Sequence, residues 1–154
     1  VKRLAFGRSV RPCCGLMAWL REIVVDCRHA PSLARFWAQV LDDYAVRAYD
    51  EEEIERLAGL GLTPETDPSV ALDGPGPTFF FTEVPESKSG KNRLHVDVAS
   101  TDRRTEVARL VALGASVRQE YDGHTVLADP EDNEFCVTDR TAIGSPVHTD
   151  RRPE

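Results

Sequence analysis

Strict alternation of apolar and polar residues occurs twice in this chain, and each time a stretch of helical period follows. Leu20–Cys27 (LREIVVDC) puts Ile23, Val25 and Cys27 on one side and Glu22, Val24 and Asp26 on the other, which predicts a strand. Pro31 and Ser32 then open a predicted helix to about Leu41, with Leu33, Phe36, Trp37, Val40 and Leu41 at helical spacing. Arg93–Ala99 (RLHVDVA) repeats the alternation, with Leu94, Val96 and Val98 opposite Arg93, His95 and Asp97. Thr101 or Asp102 caps a second such helix, whose Val107, Leu110 and Val111 are expected to cover the apolar side of that strand. It runs to Leu113, and Gly114 stops it.

Between these units lie weaker signals. Tyr44–Tyr49 reads as a short strand, Asp50–Leu60 as a short helix with an acidic first turn, and Val70–Leu72 as a strand. Asp73-Gly74-Pro75-Gly76-Pro77 is a turn, and Thr78–Val84 (TFFFTEV) is a pronounced β segment followed by the polar loop Pro85–Asn92. Ser116–Tyr121 and His124–Asp129 form a hairpin about Asp122-Gly123. After the turn Asp129–Asn133 a closing strand, Glu134–Thr138, completes the pattern.

The order is therefore β-α-β-(α)-β-β and then β-α-β-β-β. Ile23–Val46 also aligns on Leu94–Val117 without a gap. A duplicated unit of this kind predicts an α+β fold of two βαβββ modules. With 154 residues, 41% hydrophobic and 29% charged, the chain has the make-up of one globular domain. A formal net charge of -7 argues against a nucleic-acid partner and against anionic membranes, and no apolar run is long enough to span a bilayer. Cys13, Cys14, Cys27 and Cys136 form no CxxC pair, so reduced thiols and a cytoplasmic location are expected. Residues 1–16 are expected to be a disordered upstream extension, 17–140 the domain and 141–154 a flexible tail.

Three segments carry a family resemblance. Met17–Trp37, with its strand, Asp-Cys and helix ending in Phe-Trp, resembles the opening of glyoxalase-like domains. Val84–Asp97, with Pro-Glu, Lys-Asn-Arg and His-x-Asp, resembles their middle segment. Asp129–Val137 (DPEDNEFCV) resembles their closing turn and strand. The resemblance is to the vicinal oxygen chelate superfamily, which holds glyoxalases, bleomycin-resistance proteins and extradiol dioxygenases. It implies two modules curled into a mixed sheet, a partial barrel around a cup that binds a small oxygen-rich molecule. It further implies a homodimer and, in metal-dependent members, a divalent cation held by His and Glu from both modules.

On that pattern His95 is the metal ligand or catalytic base of the second module. Glu22 is its counterpart by strand-to-helix spacing, or Val24 by the gapless repeat. Cys136 stands where enzymes of the family carry a closing glutamate. The candidate metal set is thus His95, Glu22 and Cys136, and Asp97, Arg93, Glu134, Phe80 and Thr82 are candidate pocket residues. Two states stay open: a cup with a divalent cation (Zn, Ni, Fe or Mn) and a cup with none. Two functions stay open with them, a lyase or isomerase of glyoxalase type and a protein that only sequesters a small molecule. The blander expectations are a His95 that merely pairs with Asp97, a Glu22 in water and a Cys136 that packs as a small hydrophobe. Lys88, Lys91 and Arg93 form either a solvated loop or a rim that attracts an anion.

Overall fold

The computed structural model describes residues 20–140; the expected upstream extension, the first residues of the expected domain and the expected tail lie outside them. The first module runs β1 (Glu22–Cys27), α1 (Ala30–Val40), β2 (Ala45–Val46), α2 (Glu51–Gly59), β3 (Ser69–Asp73) and β4 (Thr78–Glu83). The second runs β5 (Asp97–Ser100), α3 (Arg103–Ala112), β6 (Ser116–Tyr121), β7 (His124–Ala128) and β8 (Glu134–Asp139). Each folds into a four-stranded mixed sheet, in the orders β1-β4-β3-β2 and β5-β8-β7-β6. The first and last strands pair in parallel in both, and the remaining pairs are antiparallel. The α+β fold of two related modules is thereby confirmed, with two curled sheets that do not close into a barrel.

The helices form where the sequence supplies their ends. His29 caps α1 by accepting from Ser32 N–H at 3.3 Å, and Asp50 caps α2 through Glu53 N–H at 2.8 Å. Asp102 caps α3 through Thr105 N–H at 3.1 Å. Alternation then decides which strand side is covered. Phe79 and Phe81 are buried beneath α1 with Val70 and Leu72, and Phe80 and Thr82 turn to the opposite, half-exposed side.

Leu33, Phe36, Trp37 and Val40 of α1 supply most of the helical core, and α3 buries only Leu110. Trp37 stacks on Phe79 at 6.2 Å and packs against Phe135 of the second sheet at 5.2 Å, with Phe36 also on Phe135 at 6.2 Å. Such aromatic pairs add about 0.5–1.5 kcal/mol each beyond their burial. One helix of the first module is therefore the joint between the two.

Four expectations need correction. Arg93–Ala99 is not a continuous strand, because pairing starts only at Asp97. β5 is an edge strand with one partner, and β8 begins at Glu134, so no partner strand lies opposite Arg93 and Leu94. Asn92 Nδ2 also donates to Leu94 O at 3.2 Å, a local bond that competes with the ladder. As a result Leu94, expected on the apolar side, is 64% exposed. Val111, expected to cover that side, is exposed too, while Val107 and Leu110 pack into the core. Finally, the strand expected over Tyr44–Tyr49 is reduced to Ala45–Val46.

A candidate site in the seam between the modules

A cleft of about 530 Å³ lies between β1 and the irregular segment that precedes β5. Its apolar wall is Ile23, Val25, Trp37, Phe79 and Val96; Arg93, His95 and Glu134 lie along its polar side. Both banks of the seam are edge strands. The loop 85–92 closes over one end. It is tied to the residue after β1 by Arg28 Nη1 donating to Ser87 Oγ at 3.1 Å, and to β8 by Lys91 Nζ donating to Glu134 at 2.9 Å. That lysine holds the Glu134 carboxyl below its ordinary range.

The basic rim is not a free positive patch. Arg28, Lys88, Lys91 and Arg93 share the cleft with Asp26, Glu86, Asp129, Glu131 and Glu134, and Lys91 is already paired.

The second module brings three of the singled-out residues together. His95 Nε2 lies 3.1 Å from Asp97 Oδ1, and donor atoms of His95, Asp97 and Cys136 all fall within 4.8 Å of one another. Register explains this: Asp97 and Cys136 are direct partners across the parallel β5–β8 pair, so their side chains share a face. His95 stands two residues upstream, on the same side. Burial pushes the Cys136 thiol up to about 11, with the Asp97 and Glu134 carboxylates adding to the shift. That shift favours the thiol of Cys136 over its thiolate.

Glu22 is not part of the group. It sits on the first sheet opposite Thr78 and beside Arg21, at 3.5 Å. Phe80 and Thr82 pair with Val24 and Asp26 and do not line the cleft. Of the expected site residues, His95 alone belongs both to the cleft and to the donor group.

The donor group can be tested against the cation that the resemblance implies. One imidazole nitrogen, one carboxylate oxygen and one thiol sulfur suit a borderline or soft divalent ion, and they do not suit a hard ion that demands six oxygens. When bound, such a cation polarises a ligand oxygen as a Lewis acid.

Two residues that matter to the site carried no functional expectation. Asp129, 3% exposed, accepts Trp37 Nε1–H at 3.1 Å and also the backbone N–H groups of Glu131 and Asn133, each at 2.9 Å. Glu131 accepts from Arg28 N–H at 2.5 Å and His29 N–H at 2.9 Å, so a carboxylate of the second module sits on the positive end of α1. Read alone, Asp129–Asn133 is simply a turn; the signal that could have found its role is the unusual density of acceptors in it.

No helix among the described residues is long and apolar enough to cross a membrane. A family model, described as a glyoxalase-like domain, matches residues 22–138. No curated protein matches the chain. Among solved structures, it is similar to a glyoxalase/bleomycin resistance protein/dioxygenase family enzyme from Burkholderia phytofirmans. That likeness has 18% identity and a TM-score of 0.57, over 79% of this chain and 98% of the other. The fosfomycin resistance protein FosX of Mesorhizobium loti is 13% identical with a TM-score of 0.57, over 80% and 92%. A glyoxalase I from Leishmania major is 15% identical with a TM-score of 0.53, over 80% and 87%. At these identities the likenesses speak for the fold, and the match over residues 22–138 settles the family: the chain belongs to the glyoxalase-like domain family.

Proposed function

We propose that this protein binds a small oxygen-rich molecule in the seam cleft, with His95 as the side chain that contacts it, and acts on it as a lyase or isomerase of glyoxalase type. The observation that carries this reading is the double membership of His95, which lines the cleft and stands in the donor group. Asp97 at 3.1 Å orients the imidazole and supports it as a base. The apolar wall takes the body of the ligand, and Glu134 and Arg93 take its polar groups. The names of the similar structures include both enzymes and a resistance protein, in keeping with a small-molecule pocket.

A second reading, sequestration without chemistry, draws on one observation: the donor group takes nothing from the first module. The protein works as a homodimer in the cytoplasm on either reading. The free edges of β1 and β5, with Val24 and Leu94 exposed beside them, support the first point, and the unpaired Cys27 and Cys136 support the second. A thermal-shift screen of small oxyacids, vicinal diones and hydroxyketones on the wild type and His95→Ala tests the proposal. The expected result is a stabilised wild type and no response in the variant, with the unliganded midpoints within a few degrees. Equal responses from the two proteins would remove His95 from the site. Turnover of a stabilising compound separates the enzyme from the sequestering protein.

A further inference from the structure

One buried side-chain oxygen among the described residues has no hydrogen-bond partner, and it belongs to a residue of the seam cleft. It is Oδ1 of Asn92, a half-buried residue that lines the cleft between Lys91 and Arg93. We propose that Asn92 is a specificity-determining residue of the cleft. Its amide oxygen takes a hydrogen bond from the ligand, so the cleft selects molecules that carry a hydroxyl or amide N–H donor beside an apolar body. This inference rests on the reading of the cleft as a ligand site.

Three observations lead there. First, the amide oxygen cannot trade places with the nitrogen. Asn92 Nδ2 donates to Leu94 O at 3.2 Å, and the reversed amide would set two acceptors against each other. The group left over is therefore an acceptor, and what it lacks is a donor. Second, buried polar groups in folded proteins are nearly always paired, because one left bare has given up its bond to water without replacement. An unpaired acceptor in a cavity wall recovers that loss when a bound molecule supplies the donor, so a cost of the empty state becomes affinity for one class of ligand. Third, the loop that carries the oxygen is lightly held. Among the described residues no backbone hydrogen bond joins 85–92 to either sheet. Its ties are the exposed side-chain bonds Arg28–Ser87 and Lys91–Glu134, with Lys88 Nζ donating to Gly90 O inside the loop. In the unliganded state Oδ1 has almost no surface open to water, so the loop must shift to admit a donor, and few bonds resist that shift.

The surroundings fix what accompanies that donor. Arg93, the next residue, also lines the cleft, and Ile23, Val25 and Phe79 form its apolar wall. An α-hydroxy acid with an apolar body matches all three: carboxylate to Arg93, hydroxyl to Asn92, body to the wall. A vicinal dione offers acceptors only and leaves Asn92 Oδ1 unpaired.

The test is isothermal calorimetry of the full chain with mandelate, α-methoxyphenylacetate and phenylacetate. The second has a methyl group in place of the hydroxyl hydrogen and the third lacks the oxygen, so the two bracket mandelate in size and neither brings the donor. The wild type should bind mandelate about 10–100-fold more tightly than either. Asn92→Leu and Asn92→Ala should bind all three acids alike, at the weak affinity the wild type has for phenylacetate. A merely structural part for Asn92 would weaken the three together and leave their ratio unchanged, and that result overturns the proposal. So does a wild type that binds the three acids equally or binds none of them. The wild-type ratio needs no variant, so it decides even where a substitution prevents folding. Other compounds that stabilise the wild type and not His95→Ala, with no preference for mandelate, would uphold the cleft and sink this inference alone; a wild type that no compound stabilises and that binds none of the acids sinks both.

Discussion

Asp129→Ala should weaken this protein far more than its place in a surface turn suggests. The carboxylate is 3% exposed and accepts from Trp37 Nε1, Glu131 N–H, Asn133 N–H and the Asn133 side-chain amide. Alanine leaves the indole N–H of the buried Trp37 without a partner and removes the acceptor around which the turn is built. A buried donor left unsatisfied costs ~1–3 kcal/mol, and the loss of turn geometry adds to it. One effect runs the other way: burial raises the Asp129 pKa, so the charged carboxylate is itself under strain and its removal relieves some of it. The net expectation is a loss of about 2–4 kcal/mol, or ~4–16 °C in thermal midpoint at roughly 2–4 °C per kcal/mol for a chain of this size. The raised pKa also fixes the sign of the pH dependence. A carboxyl whose folded pKa lies above its unfolded value contributes most at pH below the ordinary 3.8 and loses that contribution as pH rises through the folded value. The penalty of the substitution should therefore be larger in acid than at neutrality. Urea unfolding at both pH values, repeated with Trp37→Phe and the double variant, gives the Trp37–Asp129 coupling. A penalty under ~0.5 kcal/mol, within the ordinary range for surface substitutions, would show that this contact does not hold the modules together.

Phe135→Ala, which empties a fully buried position against Phe36 and Trp37, should cost about 3–5 kcal/mol in chemical denaturation, and a loss below ~1.5 kcal/mol would contradict the joint described above. Leu94→Ser should leave monomer stability within ~0.5 kcal/mol, since Leu94 is 64% exposed, but should weaken self-association in light scattering; unchanged association would argue against a part for Leu94 in the dimer surface. Arg47 holds the Asp73 carboxyl below its ordinary range through bonds of 2.7 and 2.9 Å, so that pair's stabilisation is present above about pH 4 and fades as pH falls through the lowered value. Because both side chains are about half exposed, Arg47→Ala should cost at most ~1 kcal/mol at pH 7 and nothing at low pH, and an equal cost at both would refute the assignment.

How far the sequence could be read depended on how local the cause was. The Asp102 cap, the Asp122-Gly123 hairpin and the alternation through Phe79–Thr82 are settled by a few neighbouring residues, and they appear where expected. The failures are non-local. Arg93–Val96 alternates like a strand, yet a strand needs a neighbour, and whether β8 reaches that far cannot be seen in the segment itself. The same holds for Asp129 and Glu131, whose partners Trp37, Arg28 and His29 lie about a hundred residues away. Asp97 was expected to line a pocket; its place between His95 and Cys136 follows from a cross-strand register that alternation does not contain.

The register ambiguity in the repeat has a physical resolution. Aligned without a gap, the sequence lays Val24 on His95, but the helix caps His29 and Asp102 are 73 residues apart, and that offset lays Glu22 on His95. The two alignments differ by two residues, which is one strand period, so both assign the same residues to the same face. The side that each residue faces was therefore secure while its partner was not. With the caps as anchors, His95, Asp97 and Cys136 correspond to Glu22, Val24 and Phe80. The pairing Val24↔Phe80 repeats the pairing Asp97↔Cys136, with two apolar side chains in place of two donors. One module thus presents a nitrogen, an oxygen and a sulfur at positions where the other presents a single carboxylate beside a methyl-bearing and an aromatic surface. A cation finds no second set of donors at the matching positions of the first module, whereas an organic ligand in the seam cleft would meet Arg93, His95 and Glu134 on one side and Ile23, Val25 and Phe79 on the other.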